Sequence, residues 1–218
     1  MEKQEIRRVH RLVLVLFPLQ GHTTPMLQLG SVLYSRGFAI TIAHTRFNPP
    51  DPINHPQFDF LVFSDNTQYS DKSGTPNIKD VESINVNCHA PLQEFLELQK
   101  QTAHSQVAGV IHDSIMYFAA TVANDNKILS LVLRTSSAAF VQAYAALPHL
   151  LAEGSILFQD SMSYEQVPQL NPLRFKDLPV SRENMAVTLE LIDIAPCPKW
   201  HQFPPLVFWR RNPAALHG

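Results

Sequence analysis

Two residues in this sequence stand where a side chain can do acid–base work. His22 follows the apolar run Leu12–Phe17 and precedes a stretch with helical spacing. That places it between the C-terminal end of a strand and the N-terminus of a helix, at the edge of an open α/β sheet where ligands gather. The positive end of a helix works against an imidazolium, and a neutral imidazole is what a general base requires. Asp113 stands just past a second short apolar run, Val107–Ile111, so in a parallel sheet it shares that edge. A carboxylate accepting a hydrogen bond from one ring nitrogen would fix the tautomer and stabilise the charged ring during proton transfer. Each residue also has a plainer reading. His22 fits a surface loop, and Asp113 fits the cap of the helix that follows it.

Other chemistries lack their signatures. No G-x-G-x-x-G follows the first strand, whose loop holds only Gly21, which argues against a nicotinamide-dependent oxidoreductase. The sequence has no P-loop lysine motif, no G-x-S-x-G elbow and no H-E-x-x-H, the marks of phosphate cradles, hydrolase nucleophiles and zinc proteases. No Cys/His group has zinc spacing. His44, His55, His89, His104 and His149 read as solvated or internally satisfied side chains.

The elements that must position His22 and Asp113 follow from the apolar pattern. Leu12–Phe17 is a continuous, β-branched-rich run before Pro18, as expected of a strand buried on both faces. Thr23 or Thr24 is the expected helix cap, with Pro25 in the first turn. Met26, Leu29, Leu33 and Tyr34 keep helical spacing, and Gly37 is placed to end that helix. Phe38–Ala43 and Asp59–Phe63 read as further strands. Ser64–Asn77 is polar and reads as a mobile loop. Ile78–Gln101 has helical spacing, interrupted or kinked at Pro91. Then come a strand over Val107–Ile111, a helix over Tyr117–Asn126, a strand over Ile128–Leu133 and a helix over Ser136–Leu151. The alternation predicts an α/β fold with a doubly wound parallel sheet.

Composition narrows the partners. Among 218 residues, 17 Lys+Arg against 19 Asp+Glu give a net charge of −2, so neither nucleic acid nor an anionic membrane is expected to bind. The two cysteines, Cys88 and Cys197, form no disulfide framework and fit a reducing, cytoplasmic setting. No run approaches the length of a membrane span, and the apolar run after the charged first ten residues is too short for a signal h-region. The character changes after Ala195. Residues 196–218 hold both tryptophans, five prolines and three cations but no acid. They read as a poorly ordered tail on an N-terminal domain of residues 1–195.

The stretch Val13-Leu-Val-Leu-Phe-Pro-Leu-Gln-Gly-His-Thr-Thr-Pro-Met-Leu-Gln-Leu29 closely resembles the start of plant family 1 UDP-glycosyltransferases. Ile40–Thr45, Val110–Asp113, Leu131–Ser136 and Pro172–Pro179 are similar to four further stretches of that family, in the same order. The resemblance runs over residues 8–195 and implies the N-terminal, acceptor-binding, Rossmann-like half of a GT-B fold. It implies that His22 deprotonates the acceptor and that Asp113 pairs with it. The acceptor oxygen then displaces UDP with inversion, with no metal or other cofactor. Gln20, Gly21, Phe118, Phe140 and Tyr144 are the expected acceptor-lining residues, although the three aromatic ones fit a core as well. The expected partners are a small lipophilic metabolite bearing a hydroxyl or carboxyl and a UDP-hexose, with glucose the leading sugar. Two departures stand out: Thr23 replaces the usual aliphatic residue, and the family's Trp-, His- and Gly-rich sugar-donor box is not found. UDP-sugar binding is therefore expected only with a donor half, and the chain alone is expected to be inactive. The alternative is a non-catalytic module that binds a small molecule or a partner.

Overall fold

The structure, a computed structural model, describes residues 9–64, 77–101, 105–154, 164–167, 170–180 and 188–189. The loop expected after Ser64 and the tail 196–218 lie outside them. The chain divides into two compact units, residues 1–137 and 138–218.

In the first unit, β1 (Val9–Val15), β2 (Ala39–His44), β3 (Asp59–Val62), β4 (Ser105–Asp113) and β5 (Leu129–Leu133) form one sheet in the order β3-β2-β1-β4-β5. Every pairing is parallel. The expected α/β class and parallel sheet are what the chain adopts. Between the strands run α1 (Gln20–Ser35), α2 (Ile78–Asn87), α3 (His89–Gln101) and α4 (Phe118–Asp125).

The sheet is central because β1 is apolar on both faces. Leu14 and Leu16 join Met26, Ile40, Ile42 and Phe58 on the face covered by α1. Val13, Val15 and Phe17 join Val81, Ile84, Leu92, Leu96, Phe118 and Val122 on the face covered by α2, α3 and α4. With two-residue periodicity, neither face of such a strand can be given to water. The alternation is thus what sets helices on both sides. Gly30 lets α1 come close: a Cβ there would lie 3.2 Å from the Leu14 side chain and 3.3 Å from that of Phe58.

One local expectation gives way, and another is met at a shifted position. The helix after β1 opens at Gln20, a turn earlier than a threonine cap would allow. Leu19, with extended backbone, is its cap residue and makes no side-chain capping bond. Its carbonyl instead accepts from the N–H groups of His22 and Thr23, at 2.9 and 2.8 Å. Thr23 Oγ1 turns back to donate to the Phe17 carbonyl at 3.1 Å. The helical stretch 78–101 is divided into α2 and α3, with Cys88 closing the first. A proline ring crowds the carbonyl four residues before it, here that of Asn87. The break therefore precedes Pro91, which is left in the first turn of α3, where its missing N–H costs nothing.

The second unit holds α5 (Ala138–Ala152) and a 3-10 turn, Phe175–Asp177. Ala143, Leu147 and Leu150 pack with Val167 and Leu178 in a cluster of their own. Among the described residues no helix is long and apolar enough to cross a membrane.

Candidate active site

β1 ends at Val15 and β4 at Asp113, side by side, with Val15 in register with His112. The chain leaves β1 through Phe17 and Leu19 and turns at once into α1, so that His22 falls in the first helical turn. Its Nδ1 meets Asp113 Oδ2 at 2.7 Å. The carboxylate side chain is 1% exposed, the imidazole 25%. A carboxylate can only accept, so Nδ1 carries a proton, and in the neutral ring Nε2 keeps its lone pair. One ring edge is held by Phe17, at 5.3 Å between centroids and 73° between planes.

Asp113 is fixed from three sides. Its Oδ1 accepts from the Ile115 N–H at 2.9 Å, a turn within its own loop. Its backbone carbonyl accepts from Nδ1 of the buried His112 at 2.8 Å. The Met116 N–H donates to the same carbonyl at 3.0 Å. Burial pushes the His112 ring below the ordinary histidine range, while the bond to the Asp113 carbonyl and the nearby carboxylate pull the other way. His44, at the end of β2, repeats the pattern: its Nδ1 donates to the Thr45 carbonyl at 2.7 Å, and burial again lowers its pKa.

Among the residues that sequence pointed to, the structure joins His22 to Asp113 and sets Gln20 and Gly21, both exposed, on the same turn. Phe118 goes elsewhere. It lies 3% exposed in the core and packs edge-on against Phe63 at 5.9 Å. Phe140 and Tyr144 belong to the second unit, where their rings stack at 5.8 Å and the Tyr144 hydroxyl donates to the Thr188 carbonyl at 3.4 Å.

Sequence reasoning missed Asn85. It is buried on α2, and its side-chain nitrogen donates to the carbonyls of Val81 and Ile115, both at 2.9 Å. Its side-chain oxygen accepts from the Phe118 N–H at 3.1 Å. The signal was there: Asn85 shares the buried face of α2 with Val81, Ile84 and Cys88, and a polar residue on an apolar face must find partners.

No protein-family model matches the chain. Individual relatives do. UDP-glycosyltransferase 76E1 of Solanum lycopersicum is 40% identical over 191 residues, covering 87% of this chain and 39% of that protein. Flavonol 3-O-glucosyltransferase UGT76E12 of Arabidopsis thaliana is 32% identical over 188 residues, covering 84% of this chain and 40% of that protein. Among solved structures, Phytolacca americana UGT2, complexed with UDP-2fluoro-glucose and pterostilbene, superposes with a TM-score of 0.65 at 19% identity. That match covers 89% of this chain and 46% of the other. The likeness of fold and the likeness of sequence point the same way, and over the residues matched the chain belongs to the plant UDP-glycosyltransferases, spanning about two-fifths of the length of those relatives.

Proposed function

We propose that this chain carries the acceptor-activating site of an inverting UDP-glycosyltransferase. The observation that carries the reading is the bond from His22 Nδ1 to Asp113 Oδ2 at 2.7 Å, which leaves Nε2 free to take a proton. An acceptor hydroxyl presented to Nε2 gives up its proton as its oxygen bonds to the anomeric carbon of the sugar. The bond from that carbon to UDP breaks, and the electron pair leaves on the diphosphate. Attack opposite the leaving group inverts the carbon. Asp113 stabilises the imidazolium that forms, as the carboxylate does in other histidine-centred systems. A carboxyl acceptor arrives already ionised and needs His22 only for placement.

The scheme uses UDP-sugar as co-substrate and no metal, as the family resemblance implies. Glucose and a small lipophilic phenol are the sugar and acceptor class we favour, a choice supported by the relative named for flavonol glucosylation. Gln20 and Gly21, on the turn that carries His22, are proposed to border the acceptor.

The 218 residues are further proposed not to transfer sugar unaided. Base, acceptor and activated sugar must be held together, and positioning supplies roughly 7–11 kcal/mol of barrier lowering. The chain spans about two-fifths of its relatives, which also favours a second reading, a module that binds a small molecule without catalysis. One experiment separates them. The chain is assayed with UDP-glucose and a phenolic panel, beside a chimera carrying a relative's donor half after Ala195. No turnover by the chain and transfer by the chimera are expected, with His22→Ala lowering the chimera's rate on the order of a hundredfold or more. Turnover by the unmodified chain, or a fully active His22→Ala chimera, would overturn the reading.

A further inference from the structure

We infer that Asn85 is a positioning residue for the His22–Asp113 pair, acting through the loop 114–117 that joins β4 to α4. The inference rests on the reading of that pair as the acceptor-activating site.

Asn85 touches neither His22 nor Asp113 in any hydrogen bond of the structure. It holds what Asp113 leans on. Ile115 faces two ways along the backbone: its N–H donates to Asp113 Oδ1 at 2.9 Å, and its carbonyl, in the next peptide group, accepts from Asn85 Nδ2 at 2.9 Å. Three residues on, the Phe118 N–H that opens α4 donates to Asn85 Oδ1 at 3.1 Å. The side chain thus grips both ends of the turn that supplies one of the two hydrogen bonds to the buried carboxylate. The other comes from His22. If the turn shifts, Oδ1 loses its donor and the carboxyl group is free to rotate about its bond to Cβ. Oδ2 then loses its aim at Nδ1.

The orientation of the Asn85 amide is forced. An N–H faces one side of it and two carbonyls the other, so oxygen must meet Phe118 and nitrogen must meet Val81 and Ile115. Each of the two amide protons has one carbonyl. Asn85 is itself 4% exposed, and leaving these backbone groups unmatched in the interior is costly. Asparagine is the side chain that serves both ends at this length. Aspartate keeps the acceptor for Phe118 and offers no donor to Ile115, and leucine offers neither.

The readout is the His22 ring in the folded 218-residue chain, by nitrogen-detected NMR of the imidazole. Asp113→Asn identifies the Nδ1–H signal that depends on the carboxylate. In the unsubstituted chain that signal is expected, in the Nδ1–H tautomer. In Asn85→Ala and Asn85→Asp it is expected to be lost or to collapse into a mixture of tautomers. Asn126→Ala is the control for a merely structural role. Asn126 is a buried asparagine that closes the end of α4 opposite the loop, bonded to Gln93, Lys100 and the Val122 carbonyl. It should lower the unfolding midpoint by a similar amount and leave the His22 signal in place. Should the Asn85 variants not fold, the side-chain amide protons of Asn85 in the unsubstituted chain decide. Slow exchange with solvent supports the grip, and fast exchange overturns it. An unchanged Nδ1–H signal in folded Asn85→Ala, or its loss in Asn126→Ala, also overturns the inference while leaving the pair intact. Absence of the signal from the unsubstituted chain overturns the pair itself, and the inference with it.

Discussion

Asp113 has both carboxylate oxygens engaged, one by His22 and one by the Ile115 N–H, and this makes its replacement informative. An asparagine at 113 has one oxygen for two donors, so one N–H must face an NH2 group. In a transfer-competent chimera Asp113→Asn should lower kcat on the order of a hundredfold, with the acceptor KM nearly unchanged. Steady-state kinetics check this, and an unaltered kcat would count against the pair. Phe118 gives a second test. Buried against Phe63, it should cost about 3–5 kcal/mol of stability when cut to alanine, read from urea unfolding. A stable Phe118→Ala that loses acceptor affinity would restore it to the acceptor site. His22 and Asp113 were legible because each closes a passage that sequence marks plainly, an apolar run broken by polar residues. His112 and Asn85 were not, because their partners are backbone carbonyls and N–H groups. In the case of Asn85 these include groups 30 and 33 positions away, and nothing in a side-chain pattern announces a backbone partner.

At the scale of elements, apolar periodicity reported the strands and helices well and their ends poorly. The start of α1 is instructive. Thr23 has the chemistry of a cap, yet the Leu19 carbonyl collects two N–H groups and begins the helix before the threonine is reached. Tertiary placement against β1 outweighed a local preference worth about 1 kcal/mol. The same helix depends on a small residue. With a Cβ at 3.2 Å from the Leu14 side chain and 3.3 Å from that of Phe58, Gly30→Val fits only if those side chains or α1 itself shift. We expect a loss of about 1–3 kcal/mol by chemical denaturation, together with weakening of the His22 Nδ1–H signal, since His22 rides on that helix. A variant as stable as the parent, with the signal unchanged, would show that the Leu14 and Phe58 side chains yield and that α1 does not depend on a glycine there.

For the whole molecule, two histidines set a dependence on pH. Burial lowers the pKa of both His44 and His112. Above about pH 6.5, the ordinary histidine value, these rings are neutral folded or unfolded and contribute no slope. As pH falls below that value the unfolded chain binds protons that the folded rings refuse, so stability declines until the folded rings titrate too. Urea midpoints measured between about pH 7.5 and 5 should fall for the parent, with a shallower fall for a His44→Asn, His112→Asn double variant. Equal slopes would remove these rings as the cause. The order β3-β2-β1-β4-β5 has a consequence of another kind. His22 and Asp113 are 91 positions apart, and two strands and two helices are laid down between them before β4 closes against β1. Closing so long a loop brings no reward until its last contact is made. The His22–Asp113 pair therefore cannot exist ahead of the sheet's centre. A chain still emerging from the ribosome has no site until residue 113 has cleared the tunnel. In refolding, the proton on His22 Nδ1 becomes a clock for the moment the central strands meet.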